Sequence, residues 1–239
     1  EMLSQGPVKV RAKVQSRHYS GNIHTVSGFI PAREEKEIVL VAHIYEPFFT
    51  DDAFGAATAV EILTVYQTLI NEGRLPRPRF GLRVLLGMEW YGFSHWFTDA
   101  DRRRRTLAVV SLDNICLAPA QTGVPIRLRN SPRCMPFWGD FLLRQLAESR
   151  LKKWAWCEES GNLSDDTFMA DPTIGVPANW VWTPVGKTHH MSFWKREEMV
   201  DADVGCAIGQ LVAEYVSAMA WADAGRVSDF VKLTAEAGC

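Results

Sequence analysis

Cysteine is sparse and unpatterned in this 239-residue chain: Cys116, Cys134, Cys157, Cys206 and Cys239 make an odd set with no Cys-x-x-Cys spacing. A disulfide framework and a cysteine-rich zinc knuckle are therefore both poor fits. Several of these residues sit in apolar runs, where a free thiol behaves as a small hydrophobe, so the expected setting is reduced and cytoplasmic. An excess of one charge is missing too. Lys and Arg number 26 against 28 Asp and Glu, a formal net charge of −2. That balance gives no electrostatic reason to expect nucleic acid or an anionic membrane as a partner. The one dense basic run, Arg102 to Arg105, follows Asp99 and Asp101 and leads into an apolar stretch. It reads as a solvated turn. No apolar stretch approaches the ~20 residues of a membrane helix. The N-terminus lacks a charged lead followed by an apolar segment, so no signal peptide is expected.

What is present is the composition of a soluble globular domain, 47% hydrophobic and 23% charged. A core of this size supports itself without disulfides or a structural metal, so any metal would serve chemistry. Val8, Val10, Ala12 and Val14 alternate with polar residues as a half-buried strand does. A second strand is expected over Asn22 to Ile30, after a turn at Ser20-Gly21. IVLVA, within Lys36 to Ile44, is the continuous β-branched run of a strand buried on both faces. Leu82 to Met88 and Leu107 to Leu112 are of the same kind, and Ile174 to Trp182 reads as a strand. Helical spacing runs from Ala56 to Ile70, Pro136 to Arg150 looks amphipathic, and Asp201 to Ala224 reads as one long helix with Asp201 as N-cap and Gly225 past its end. Strands alternating with helices give an α/β class with a mainly parallel central sheet, the first two strands adding an antiparallel edge. One domain over residues 1–239 is expected, compatible with a piece of a longer protein.

Three buried runs end in an ionisable residue: IVLVA at His43, LRVLLGM at Glu89 and LAVVSL at Asp113. Open α/β sheets bind ligands at the carboxyl ends of their strands, so these groups should converge on one crevice. Asp51-Asp52 falls in the loop after the first of these strands, near a helix N-terminus. One histidine among carboxylates is a ligand set for Zn²⁺ or a similar ion, and a glutamate nearby is a candidate base. Each residue alone is as readily a strand-end cap; the coincidence of three carries the reading.

The run IVLVAHIYEPFFTDDAFGAATAVE, Ile38 to Glu61, resembles the first metal motif of the co-catalytic zinc aminopeptidases, whose fold is shared with glutamate carboxypeptidase and the transferrin receptor ectodomain. RVLLGMEWYGF, SLDN, LSDDTF and TPVGKTHHMS resemble, in order, the later motifs, and a bacterial aminopeptidase-like branch looks most similar. The resemblance implies a zinc-exopeptidase-like fold, metal ligands at His43, Asp52, Asp113 and His190, Glu89 as general base, and substrate contacts at Asp165, His189 and Trp90. Three departures bear on it. Trp90 stands where the family has a second ligand glutamate, Tyr45 where an acid orients the histidine, and Ala53 where an asparagine follows the bridging aspartate. Trp offers only an N–H donor and cannot hold a metal. One zinc is thus expected at His43, Asp52 and Asp113, while a second position keeps only Asp52 and His190. The implied function is a metal-dependent hydrolase of amide bonds, an aminopeptidase-type metallopeptidase acting on a peptide or small amide. The alternatives are a binding or scaffold relative, or a single-zinc enzyme of cyclisation or deacylation.

Overall fold

The structure is a computed structural model that describes residues 6–46, 49–161, 163–164, 166–184 and 199–237. Its centre is a seven-stranded sheet built from β1 (Val26–Ile30), β2 (Glu37–His43), β3 (Gly81–Gly87), β4 (Thr106–Ser111), β5 (Ile126–Arg129), β6 (Trp156–Glu159) and β7 (Ala178–Trp182). The spatial order is β1-β3-β2-β4-β7-β5-β6. Strands β3, β2, β4 and β7 run parallel, β1 pairs antiparallel with β3 at one edge, and β5 meets β7 antiparallel. The α/β class and the mainly parallel sheet expected from sequence are both present.

Every residue of β2 is buried because both faces of the sheet are covered. Ile38 and Leu40 pack with Ala59, Ile62 and Leu63 of α1 (Ala53–Asn71) and with Ile208, Leu211 and Val212 of α6 (Ala202–Ala220). Val39 and Val41 point the other way, against Phe93, Trp96 and Phe97 of α2 (Tyr91–Thr98) and against Met169. This two-sided burial is why the IVLVA run shows no polar alternation. By length and composition α1 is apolar enough to cross a bilayer, contrary to the sequence expectation. Its small and branched residues instead cover the sheet.

Other expectations change. Residues 6–24 are exposed and form no strand. Val10 and Val14 are 79% and 85% exposed, since among the described residues nothing lies beside them to complete a ladder or cover that face. Arg102 to Arg105 belong to a short helix, α3 (Ala100–Arg105), whose N-terminal amides are accepted by the Asp99 carboxylate. The long C-terminal helix ends at Ala220, whose carbonyl accepts from Arg79 N and Phe80 N. The chain then bends by 117° into a further helix, α7 (Ala224–Ala237), so Gly225 lies within a helix. Among the described residues the chain also forms helices α4 (Pro119–Thr122) and α5 (Trp138–Arg150).

Candidate metal centre

Register places the site. His43 closes β2 opposite Gly87 of β3, and Val41 lies opposite Ser111 of β4. Strands β2 and β3 therefore end level and β4 ends two residues earlier, and the chain runs on two residues past β3 to Glu89 and two past β4 to Asp113. The loop after β2 brings Asp51 and Asp52 over the same edge, at the N-terminus of α1. This is the crevice outside the carboxyl ends of a parallel sheet.

His43 Nε2 lies 3.2 Å from Asp51 Oδ1 and 3.4 Å from Asp113 Oδ1. One atom each from His43, Asp51 and Asp113 falls within a common 4.8 Å. A second set, His43, Glu89 and Asp166, meets the same test, so His43 belongs to both. All of these groups are buried except Glu89, which is partly exposed. Asn114, held at φ +51°, donates from Nδ2 to Asp113 Oδ1 at 2.8 Å. Trp180 Nε1 donates to the Asp113 carbonyl at 3.3 Å.

The two adjacent aspartates divide their work. Asp52 Oδ1 accepts from Gly55 N at 3.0 Å and caps α1, while Asp51 faces the histidine. The sequence reading put Asp52 in the ligand position; in this geometry the Asp51 carboxylate is the one that faces His43, while one oxygen of Asp52 is taken up by the helix N-terminus. Gly55 is required by this packing. A Cβ on it would strike the Leu112 carbonyl oxygen and both Asp52 carboxylate oxygens.

The electrostatics are those of a cation site. Burial, then the Asp113 charge, drives the Asp52 carboxyl well above the ordinary range. Burial also raises Asp113, against a hydrogen bond from His43. For His43, burial would lower the pKa, but hydrogen bonds to Asp113 and Asp51 together with the Asp113 and Asp52 charges push it up to about 12. Burying several carboxylates around one imidazole is costly unless positive charge compensates them. Asp52 Oδ2 and His43 Nδ1 are buried with no hydrogen-bond partner among the described residues, and the imidazole nitrogen that faces carboxylates is the other one, Nε2. A nitrogen and two carboxylate oxygens in one cluster suit Zn²⁺ as its donor set.

His43, Glu89 and Asp113, chosen from strand ends, are brought together. His190, His189 and Asp165 lie outside the described residues. Trp90 is at the rim, 52% exposed, its ring stacked on Phe168. The sequence reading did not single out Asp51 or Asp166 as ligands. For Asp51 the signal is there: in Asp51-Asp52-Ala-Phe-Gly the second aspartate has N-cap spacing, which points to the first as the one that faces the crevice.

No protein-family model matches the chain, and no curated protein matches it in sequence. Solved structures do. BSAP, a zinc aminopeptidase from Bacillus subtilis, superposes with a TM-score of 0.60 at 14% identity, over 80% of this chain and 49% of that one. The LapA aminopeptidase of Legionella pneumophila gives 0.61 at 13% identity, over 83% and 59%. An Acidobacteriales bacterium glutaminyl cyclase gives 0.59 at 14% identity, over 81% and 72%. The chain spans about half the length of the Bacillus enzyme. These superpositions show that this chain has the α/β fold shared by zinc aminopeptidases and glutaminyl cyclases.

Proposed function

We propose that this chain is a metal-dependent hydrolase of amide bonds, acting as an aminopeptidase on peptides or small amides with a free N-terminus. The observation that carries the reading is the buried His43, Asp51, Asp113 cluster with Glu89 beside it. A buried cluster of this kind serves no packing purpose, and Glu89 on the same histidine is a group a scaffold would not need. His43, Asp51 and Asp113 would hold the ion, and Glu89 and Asp166 come within reach of the same histidine. A bound divalent ion supplies Lewis-acid polarisation of the scissile carbonyl and favours ionisation of water. Glu89, partly exposed at the crevice, takes the proton from the attacking water and returns it to the leaving amine. The acidic surroundings, Asp51, Asp52, Asp113 and Asp166, attract a free α-ammonium group and repel an acidic substrate.

A second reading, cyclisation of an N-terminal glutamine, is favoured by one feature. Trp90 stands where the resemblance places a second ligand carboxylate, and a glutaminyl cyclase is among the structures matched. In that reaction Glu89 moves the proton from the α-amine to the departing ammonia, and no water is consumed.

Three peptides separate the readings: one with free N-terminal leucine, the same peptide acetylated, and one with N-terminal glutamine. Release of leucine from the free peptide alone supports the aminopeptidase. Ammonia release from the glutamine peptide without loss of a residue supports the cyclase. Glu89→Gln should retain zinc, by elemental analysis, while losing roughly 10²–10⁴ in kcat. No zinc in the wild-type protein, even after incubation with the ion, sinks both.

A further inference from the structure

The residue after the candidate base is bent in an unusual way. Tyr91 N donates to Glu89 O at 2.6 Å across Trp90, which has φ +52° and ψ −66°. This three-residue turn is rare and strained for an L-residue, and bulky side chains avoid positive φ. A conformation of this kind persists only where the surroundings hold it. Here the hold is aromatic. The Trp90 ring stacks on Phe168 with centroids 6.0 Å apart and planes 11° apart, and Phe168 meets the fully buried Phe97 edge-on at 6.0 Å.

This column runs from the core to the rim of the metal centre. Glu89 precedes Trp90 directly, and Asp166 lies two residues before Phe168. The backbones that bring both carboxylates to His43 therefore also bring both rings together. Trp90 is left 52% exposed, and its chain neighbours Met88 and Tyr91 are exposed too, the Tyr91 ring centroid lying 6.4 Å from that of Trp90. An aromatic ring left open beside a strand-end crevice is a ready contact for an apolar ligand group. A core role does not account for a ring that is half in water.

Resting on the proposed aminopeptidase reading, we propose that the Trp90–Phe168 stack is the specificity wall of the site and receives the side chain of an aromatic N-terminal residue. An aromatic side chain adds a further ring to the column in an offset or edge-on arrangement. A small side chain leaves the exposed Trp90 face wet, and an acidic one is repelled by the aspartate cluster.

The test is the ratio of kcat/KM for phenylalanine amide to that for alanine amide in zinc-loaded protein, in the wild type, Trp90→Gly and Trp90→Phe. Glycine tolerates φ +52° and removes the ring; phenylalanine keeps an aromatic face. The wild-type ratio should exceed about tenfold, fall by at least about tenfold in Trp90→Gly and recover most of it in Trp90→Phe. Calorimetric titration of Glu89→Gln with the two amides, without turnover, should show the same order of affinity. An unchanged ratio in Trp90→Gly, or equal binding of the two amides, overturns the wall while leaving the hydrolase standing. Absence of turnover on every free amide, beside preferential binding of phenylalanine amide, strikes the hydrolase reading and keeps the wall.

Discussion

His43 Nε2 sits 3.2 Å from the Asp51 carboxylate, whereas Asp52, the next residue, turns away to accept from Gly55 N. Asparagine is as good an N-cap as aspartate, so Asp52→Asn keeps the helix end. Asp51→Asn replaces a charged donor in the metal cluster by a neutral one. The expected result is at least a tenfold rise in zinc Kd for Asp51→Asn, and a much smaller change for Asp52→Asn, by competition with a metallochromic chelator. The reverse order would return the ligand role to Asp52.

The opposite nitrogen of the same ring gives a second prediction. His43 Nδ1 is buried and has no hydrogen-bond partner among the described residues. Metal-bound histidines ordinarily donate that N–H to a carboxylate or carbonyl, which fixes the tautomer and raises basicity. Tyr45 occupies the nearby position where an acid could do this, and its hydroxyl instead donates to the His24 carbonyl at 3.2 Å. Residues two apart on extended backbone project to the same side. Tyr45→Asp should therefore tighten zinc by roughly 10-fold or more, within the range such partners supply. A weaker zinc affinity in Tyr45→Asp would show that the new carboxylate does not reach Nδ1.

Much of this arrangement was legible in sequence, and the reasons are physical. A strand buried on both faces has no choice but a continuous apolar run, so β2, β3 and β4 announce themselves, and their polar ends announce the crevice. Strands β5 and β6 do not. IRLR and WCEE carry charges that find their partners across the ladder and beyond it, Arg127 and Arg129 pairing with Glu159 at 2.7 Å and Glu158 with Arg144 of α5. No local pattern encodes that. Asp166 was legible only as an acid in a polar stretch, because what carries it to His43 is the packing of Met169 and Phe168 against α2. The alternation of Val8 to Val14 is a true strand pattern, but pattern alone supplies no neighbour.

Away from the site, Asp140 makes stability depend on pH. Its Oδ1 accepts from Ser131 N at 3.1 Å and from Asn179 Nδ2 at 2.7 Å, and Asn179 Oδ1 accepts from Tyr215 at 2.7 Å. Burial pushes its pKa up to about 6, against those hydrogen bonds. The folded protein thus holds this proton after the unfolded chain has lost it. Stability from the neutral form is full below about pH 4 and is lost as pH rises through about 6, on the order of 3 kcal/mol in all. Asp140→Asn has no such proton. Urea midpoints at pH 4.5 and 7.0 should therefore differ by less in Asp140→Asn than in the wild type. An equal difference in both proteins would place the pH dependence elsewhere.

Gly55 tests whether the cap and the metal centre are one structure. In a typical helix, replacing glycine by alanine stabilises by about 0.5–1 kcal/mol. Here the new methyl would meet the Leu112 carbonyl and the Asp52 carboxylate, which are backbone and cap and cannot swing aside as a flexible side chain would. Leu112 precedes Asp113 directly, so the displacement is passed to a cluster residue. Gly55→Ala is expected to lose about 1–3 kcal/mol in urea unfolding, the cost of overpacking a tight contact, and to bind zinc more weakly than the wild type. The two losses should occur together, because one backbone contact supports both the α1 N-terminus and the end of β4. A Gly55→Ala protein of higher stability with unchanged zinc affinity would mean that α1 can move away from β4 without disturbing the site.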